Sequence, residues 1–289
     1  MAFADGPVYT LEWLVDRTST VYSLPLFYEQ LNEAINHPRT SIDDIAKIIT
    51  EDQGLTARLL RLANSPFFGW FGKVDSINKA VTIIGTQQLR DLALAASVMG
   101  VFTGIPEELL NMISFWRHSV ACGILARTLA TWRRETNVER FFVAGILHDV
   151  GQLMMATTIP PVVMEMIGQS RASNQPYHLT ELDRLGFDHA DAGGALLRSW
   201  KIPANIAEPV ASHHRPSRAE QFPVEAATIH LSDIICQAME YGQTGEWCVS
   251  ALDPAAWDKL GMSPHQLGAI LKQAEPQLEE TFSILAEAP

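Results

Sequence analysis

The sequence has only three cysteines in 289 residues, no Lys/Arg cluster longer than Arg133–Arg134, and no apolar run long enough to cross a bilayer. Each shortage excludes something. Cys122, Cys236 and Cys248 are scattered, without the paired spacing of a zinc ribbon or a redox motif, and Cys122 and Cys236 on apolar helical faces read as small hydrophobes. A formal net charge of −12 opposes non-specific attraction to polyphosphate, so nucleic acid is not expected as a main partner. The longest apolar candidate, Leu92 to Val101, falls well short of the roughly 20 residues of a membrane span and reads as a core helix. The segment from Met1 to Gly6 has no basic stretch followed by an apolar one, which argues against a secretory signal and gives a cytoplasmic reading without a membrane partner.

With 47% hydrophobic and 19% charged residues the chain has enough apolar material for a substantial core. From Leu24 to about Gly100 no period-2 strand pattern of any length occurs, and the periodicity is helical with short breaks. Pro25 suits a first helical position, and Leu24, Phe27, Leu31 and Ile35 form one stripe that stops at His37–Pro38, with His37 a surface turn residue. Ser41, Ser76 and Thr86 are expected N-caps, Gly85 a helix end, and Ser65–Pro66 the end of the helix carrying Leu55, Leu59, Leu62 and Ala63. The aromatic loop Phe67, Phe68, Trp70 and Phe71 reads as a core plug between two helices, with a binding surface as the alternative. About five short helices make an N-terminal bundle, residues 1–105.

Gly104 and Pro106 mark the best boundary, followed by a second helical unit over 106–245 and one or two closing helices over 246–289. A long helix is expected from about Leu109 to Trp132, with His118, Ala121, Cys122, Leu125 and Leu129 on one inward face. Near the midpoint, Leu147-His148-Asp149-Val150-Gly151-Gln152 places an imidazole and a carboxylate inside an otherwise apolar helix, where an uncompensated charge would cost several kcal/mol, roughly. Pro160–Pro161 opens a helix to about Ser170, a polar stretch follows, and Asp188 is the expected N-cap of a helix with His189 in its first turn. Gly193–Gly194 inside that helix implies close approach of another backbone, since glycine there costs about 1 kcal/mol relative to alanine. A helix opened by Pro203 ends at His213–His214, and another from about Val224 to Met239 carries His230 and Asp233. His178 and His265, in polar surroundings, are expected at the surface.

His118, His148, Asp149, His189, His213, His214 and Asp233 thus fall on apolar helical faces or at helix ends. Imidazole and carboxylate together suit Zn, Mn, Fe or Ni, and converging helices are an established way to present them at long sequence spacing. One or two divalent ions are the expected cofactor. A cluster whose histidines and acids satisfy one another without metal is the bland alternative.

The pattern of a histidine, then His-Asp, then a distant aspartate resembles the HD superfamily of metal-dependent phosphohydrolases, with His118, His148, Asp149 and Asp233 at the matching positions. More closely the chain resembles the HDOD branch, on the stretches Asp52–Ser65, Trp116–Ser119, Gly145–Gly151, Phe187–Gly193 and His213–His214. The resemblance implies an all-α fold, with an N-terminal helical bundle packed on an HD-type domain. It also implies a bacterial signal-transduction role of response-regulator type, acting through signalling-protein partners, in a branch where most members have no demonstrated catalysis. The related branch that hydrolyses cyclic di-GMP shares all seven cluster positions, so a phosphohydrolase acting on a nucleotide ligand is the competing reading. This chain departs from that branch in three places: Gln152 stands where a lysine is usual, Arg215–Pro216 follows the paired histidines, and the Gly-Tyr-Pro loop is missing. Gln152, Arg117 and Arg215 are the candidate phosphate or supporting contacts, and Gln152 can donate a hydrogen bond but brings no charge.

Overall fold

The computed structural model describes residues 9–22, 26–64, 73–102, 104–242 and 248–286. Among these residues the chain is all-α, with sixteen α-helices, a short 3₁₀ turn and no strand. The first six helices are α1 (Leu11–Val21), α2 (Leu26–Asn36), α3 (Ile42–Thr50), α4 (Gln53–Asn64), α5 (Ile77–Ile84) and α6 (Thr86–Val101). Ser41 caps α3 in a reciprocal box with Asp44, and the Ser76 hydroxyl accepts from the Lys79 amide at the start of α5. Thr86 is not a cap. It is the first helical residue of α6, and the cap position belongs to Gly85 at φ +96°, a left-handed value that also ends α5. Pro25 and the aromatic loop lie outside the described residues. Helix α1 precedes the stretch where helical patterning was expected to begin.

The second half comprises α7 (Met112–Trp132), α8 (Glu139–Leu147), α9 (Val150–Thr158), α10 (Pro160–Ser173), α11 (Tyr177–Leu185), α12 (His189–Ser199), α13 (Ala204–Ser212), the 3₁₀ turn Pro216–Arg218, α14 (Pro223–Ala238), α15 (Pro254–Leu260) and α16 (Pro264–Ala286). The expected start of α7 at Leu109 is three residues early: Leu109 lies in a turn, and Asn111 caps the helix by accepting from the Ser114 amide at 2.9 Å. The expected polar stretch, Ser170 to Pro176, covers the end of α10 and the connection to α11, a helix for which no expectation was formed.

Helices α7 and α8 form the centre of the core, with Phe115, Phe141 and Phe142 fully buried, each contributing about 2 kcal/mol by apolar burial. They approach closely because glycine faces glycine: a Cβ on Gly145 would lie 2.6 Å from the Gly123 Cα. Helices α9 and α12 meet in the same way. A Cβ on Gly151 would sit 1.9 Å from the His189 carbonyl oxygen, and one on Gly194 would lie 2.3 Å from the Ala211 Cβ of α13. The glycine pair expected to admit another backbone therefore does so. Helix α1 packs across α9 and α12, burying Leu14 and joining the Thr18 and Thr158 hydroxyls at 3.0 Å. No single helix among the described residues is long and apolar enough to cross a membrane.

Candidate metal centre

His148 and Asp149 do not lie inside a helix. They form the break between α8 and α9, with Asp149 at φ −96°, ψ 9°. The cause is local. The His148 ring donates from Nδ1 to the Gly145 carbonyl at 2.6 Å, occupying the oxygen that the residue 149 amide would use in a continuing helix. This tie fixes the ring so that Nε2 is the nitrogen directed into the protein. His213, just beyond α13, repeats it by donating from Nδ1 to the Val210 carbonyl at 2.8 Å. The Nε2 atoms of both rings are buried without a hydrogen-bond partner. Two inward imidazole nitrogens without hydrogen-bond partners are what a cation would satisfy.

Around them the fold assembles the other five residues. His118 on α7 lies with Nε2 3.0 Å from Asp233 Oδ1 on α14, and 3.9 Å from Asp149 Oδ2. Asp149 Oδ2 is 3.2 Å from His148 Nε2, while its Oδ1 is 3.1 Å from His189 Nε2 and 3.7 Å from His213 Nε2. His189 Nε2 and His214 Nε2 are 2.8 Å apart. Donor atoms therefore gather into two outer trios, His118/His148/Asp233 and His189/His213/His214, joined by a third, His148/Asp149/His213, with the donors of each within 4.8 Å of one another. Asp149 lies between them with one oxygen toward each. All seven residues named from the sequence converge, and imidazole and carboxylate donors at these separations suit a borderline divalent metal.

The supporting residues were less legible. Glu181 on α11 is fully buried, and its Oε2 accepts from the His189 backbone amide at 2.8 Å and from His189 Nδ1 at 2.6 Å. Gln237, one turn beyond Asp233, donates to both Asp233 oxygens at 3.0 Å. Neither stood out in the sequence: Gln237 shares α14 with the candidate ligand Asp233, whereas α11 carries no candidate ligand to draw attention to Glu181. His178 is not a free surface residue: it is half-buried, with its ring stacked 4.0 Å from that of His214. His230 serves the scaffold, donating to the His213 carbonyl at 2.7 Å and accepting from the Asp253 amide at 2.9 Å.

Of the three candidate phosphate contacts, the structure places one at the cluster. Gln152 is buried with its amide 3.5 Å from His189 Nε2. Arg117 is exposed and lies over the Phe282 ring, away from the donors, because it occupies the outer face of α7. Arg215 is committed to the N-terminal turn of α12, donating to Asp188 at 2.9 Å and Asp191 at 2.8 Å. There it supports a capping box in which Asp188, the expected N-cap, is joined by Asp191.

The residues 21–216 match the HDOD domain profile, more than half the chain. The chain belongs to the HDOD family. Among solved structures, a candidate phosphohydrolase from Shewanella amazonensis superposes on this HDOD chain with a TM-score of 0.73 at 25% identity, covering 94% of this chain and 97% of that one. An HDOD domain protein of unknown function from Geobacter sulfurreducens gives the same TM-score of 0.73 at 22% identity, over 96% and 98% of the two chains. An uncharacterised protein of Treponema pallidum is 23% identical over 233 residues, 80% of this chain. The HDOD chain spans 45% of that relative's length.

Charge in the cluster is divided unequally. Burial works against protonation of His148 and His189, yet Asp149 beside the first and Glu181 with Asp149 beside the second hold both well above the ordinary histidine value. Burial, then the neighbouring His148, pushes His213 down to about 3, and burial with His213 and His189 holds His214 well below its usual range. Burial opposes the Asp149 charge, but His148 and His189 keep its carboxyl well below the carboxylate range. Without an ion, protons on His148 and His189 neutralise the buried acids.

A divalent ion must displace those protons, so affinity falls as pH falls. Because both histidines are raised, the loss should begin above about pH 6.5, earlier than the onset near pH 6 that unperturbed imidazoles suggest. Equilibrium dialysis against Zn²⁺ across pH 5–8 with metal analysis checks this, as a rough window around the histidine range. Metal-free protein should in turn be most stable near neutrality. The contribution of raised His148 and His189 is full below about pH 6.5 and lost on alkalinisation, while that of depressed His213 and His214 is present above about 6.5 and lost on acidification. A melting series against pH on chelator-treated protein reads both limbs.

Proposed function

We propose that this chain is a signalling module that acts through protein contacts, with the His/Asp cluster as a buried divalent-metal centre. The observation that carries the reading is that the donors face one another and not the solvent: His118, His148, Asp149, His189, His213 and Asp233 are each at most 3% exposed, and only His214 is half-buried. A phosphodiester cannot reach such atoms unless the surrounding helices separate. His118, His148 and Asp233 would hold one ion, His189, His213 and His214 a second, with Asp149 shared. Bound divalent ions supply Lewis acidity and rigid cross-linking between helices. The chain's own residues then fix the donors: Gly145 and Val210 carbonyls, Glu181 and Gln237 each hold one ligand in place.

The competing reading, a metal-dependent phosphohydrolase acting on a nucleotide or cyclic dinucleotide, is supported by the carboxylate shared between two donor trios and by the likeness to the Shewanella candidate phosphohydrolase. Against it stands Gln152 at the edge of the second trio, which offers an uncharged donor where growing phosphoryl charge would need stabilising, a difference on the order of a few kcal/mol. Purified protein loaded with Mn²⁺ or Fe²⁺ is expected to show little or no hydrolysis of cyclic di-GMP or of simple phosphodiesters. Metal-dependent turnover that disappears in a still-folded Asp149→Ala protein would overturn the signalling reading in favour of the hydrolase.

A further inference from the structure

Helix α11 is bounded by two residues in left-handed conformation, Asn174 at φ +50° and Gly186 at φ +80°, and its only extensive helix-to-helix packing among the described residues is on α10. Yet it places three side chains, Tyr177, His178 and Glu181, against the second donor trio. The Tyr177 ring lies 6.3 Å from that of His189 at 18°, the His178 ring stacks on His214, and the Glu181 carboxylate grips His189 at both its backbone amide and its Nδ1. Glu181 is fully buried, and its second oxygen, Oε1, has no hydrogen-bond partner. Both of its bonds go to His189, and burying a carboxylate for one histidine alone is unfavourable, so orienting that ring toward the trio is the gain that offsets the burial. With Nδ1–H held by Glu181, the remaining His189 nitrogen is committed to the trio.

We infer that Glu181 is a positioning residue for the second ion, and that through it metal occupancy controls the seating of α11. This rests on the metal-centre reading above and adds the route by which the state of the buried cluster reaches the surface. The coupling is reciprocal by thermodynamic necessity: if a seated α11 raises ion affinity by some factor, the bound ion favours the seated α11 by the same factor. Loss of a carboxylate that orients a ligating histidine typically weakens metal binding by roughly 10–100-fold, which sets the size of both effects. The outer face of α11, where Leu179 and Asp183 are exposed, is then the surface whose position reports the metal state.

The test uses the full chain, with Co²⁺ as probe, its visible ligand-field absorption as the binding signal and amide hydrogen exchange of residues 177–185 as the conformational one. In wild type, Co²⁺ should slow exchange across α11 by roughly 10–100-fold. Glu181→Gln should weaken Co²⁺ binding by the same factor and abolish the slowing, and Glu181→Asp, which keeps the carboxylate, should restore part of each. A wild-type α11 indifferent to bound Co²⁺, or a Glu181→Gln protein with unchanged affinity and unchanged slowing, overturns the inference. The wild-type comparison stands even if Glu181→Gln fails to fold. If wild type binds no Co²⁺ at all, the metal-centre reading fails and takes this inference with it, whereas binding without a response of α11 defeats the inference alone.

Discussion

Asp149→Ala is expected to destabilise the protein by about 3–5 kcal/mol, the range for removing one partner of a buried ionic cluster. Asp149 is the carboxylate that touches both donor trios: His118 and His148 lie near one oxygen, His189 and His213 near the other. Removing it leaves the raised charges on His148 and His189 without their shared counter-charge in a site closed to water. The melting temperature of chelator-treated protein should therefore fall sharply, and metal content of the mutant should fall with it. If the substitution left stability unchanged, the electrostatic account of the cluster would be wrong.

The second large effect requires no ionisable group. Gly151→Ala puts a methyl group where the His189 carbonyl oxygen already lies, at 1.9 Å, and a backbone oxygen cannot swing aside as a flexible side chain can. Helices α9 and α12 would have to separate, at a cost at or above the roughly 1–3 kcal/mol usual for overpacking. Separation also moves His189 away from Asp149, so metal affinity should drop together with stability. Gly168→Ala is the control: it lies in α10 with nothing within 4 Å of its Cβ position, and should stabilise by about 0.5–1 kcal/mol through helix propensity. Equal effects of the two substitutions in denaturant titrations would contradict the close-packing argument.

What the sequence showed of this fold follows physical lines. Caps that use a local side chain, Ser41, Ser76 and Asp188, were legible because the acceptor lies three residues from its donor. Ligand-type residues were legible because an imidazole or carboxylate on an apolar stripe must face inward. Glu181 escaped because α11 is largely polar, and its stripe of inward residues is defined by contacts with His189 and His214 that lie far away in the chain. Gln237 escaped for a different reason: its partner Asp233 is only four residues away on α14, and an amide at that spacing is commonplace on a helix. The helix break at His148–Asp149 was hidden because apolar periodicity runs through it, and only the ring's bond to the Gly145 carbonyl interrupts the ladder. Arg117 and Arg215 illustrate the converse: both adjoin a ligand in sequence, yet one lies over the Phe282 ring and the other is tied to Asp188 and Asp191.

The central claim is that these seven residues hold metal. Elemental analysis of protein purified at neutral pH without added metal tests it most directly, with Asp149→Ala prepared in parallel. The account predicts stoichiometric divalent transition metal in the wild type and its loss from the mutant. Wild-type protein that carries none, and takes up none after incubation with Zn²⁺, Mn²⁺ or Fe²⁺, would show that the cluster is a hydrogen-bonded core and contradict the account.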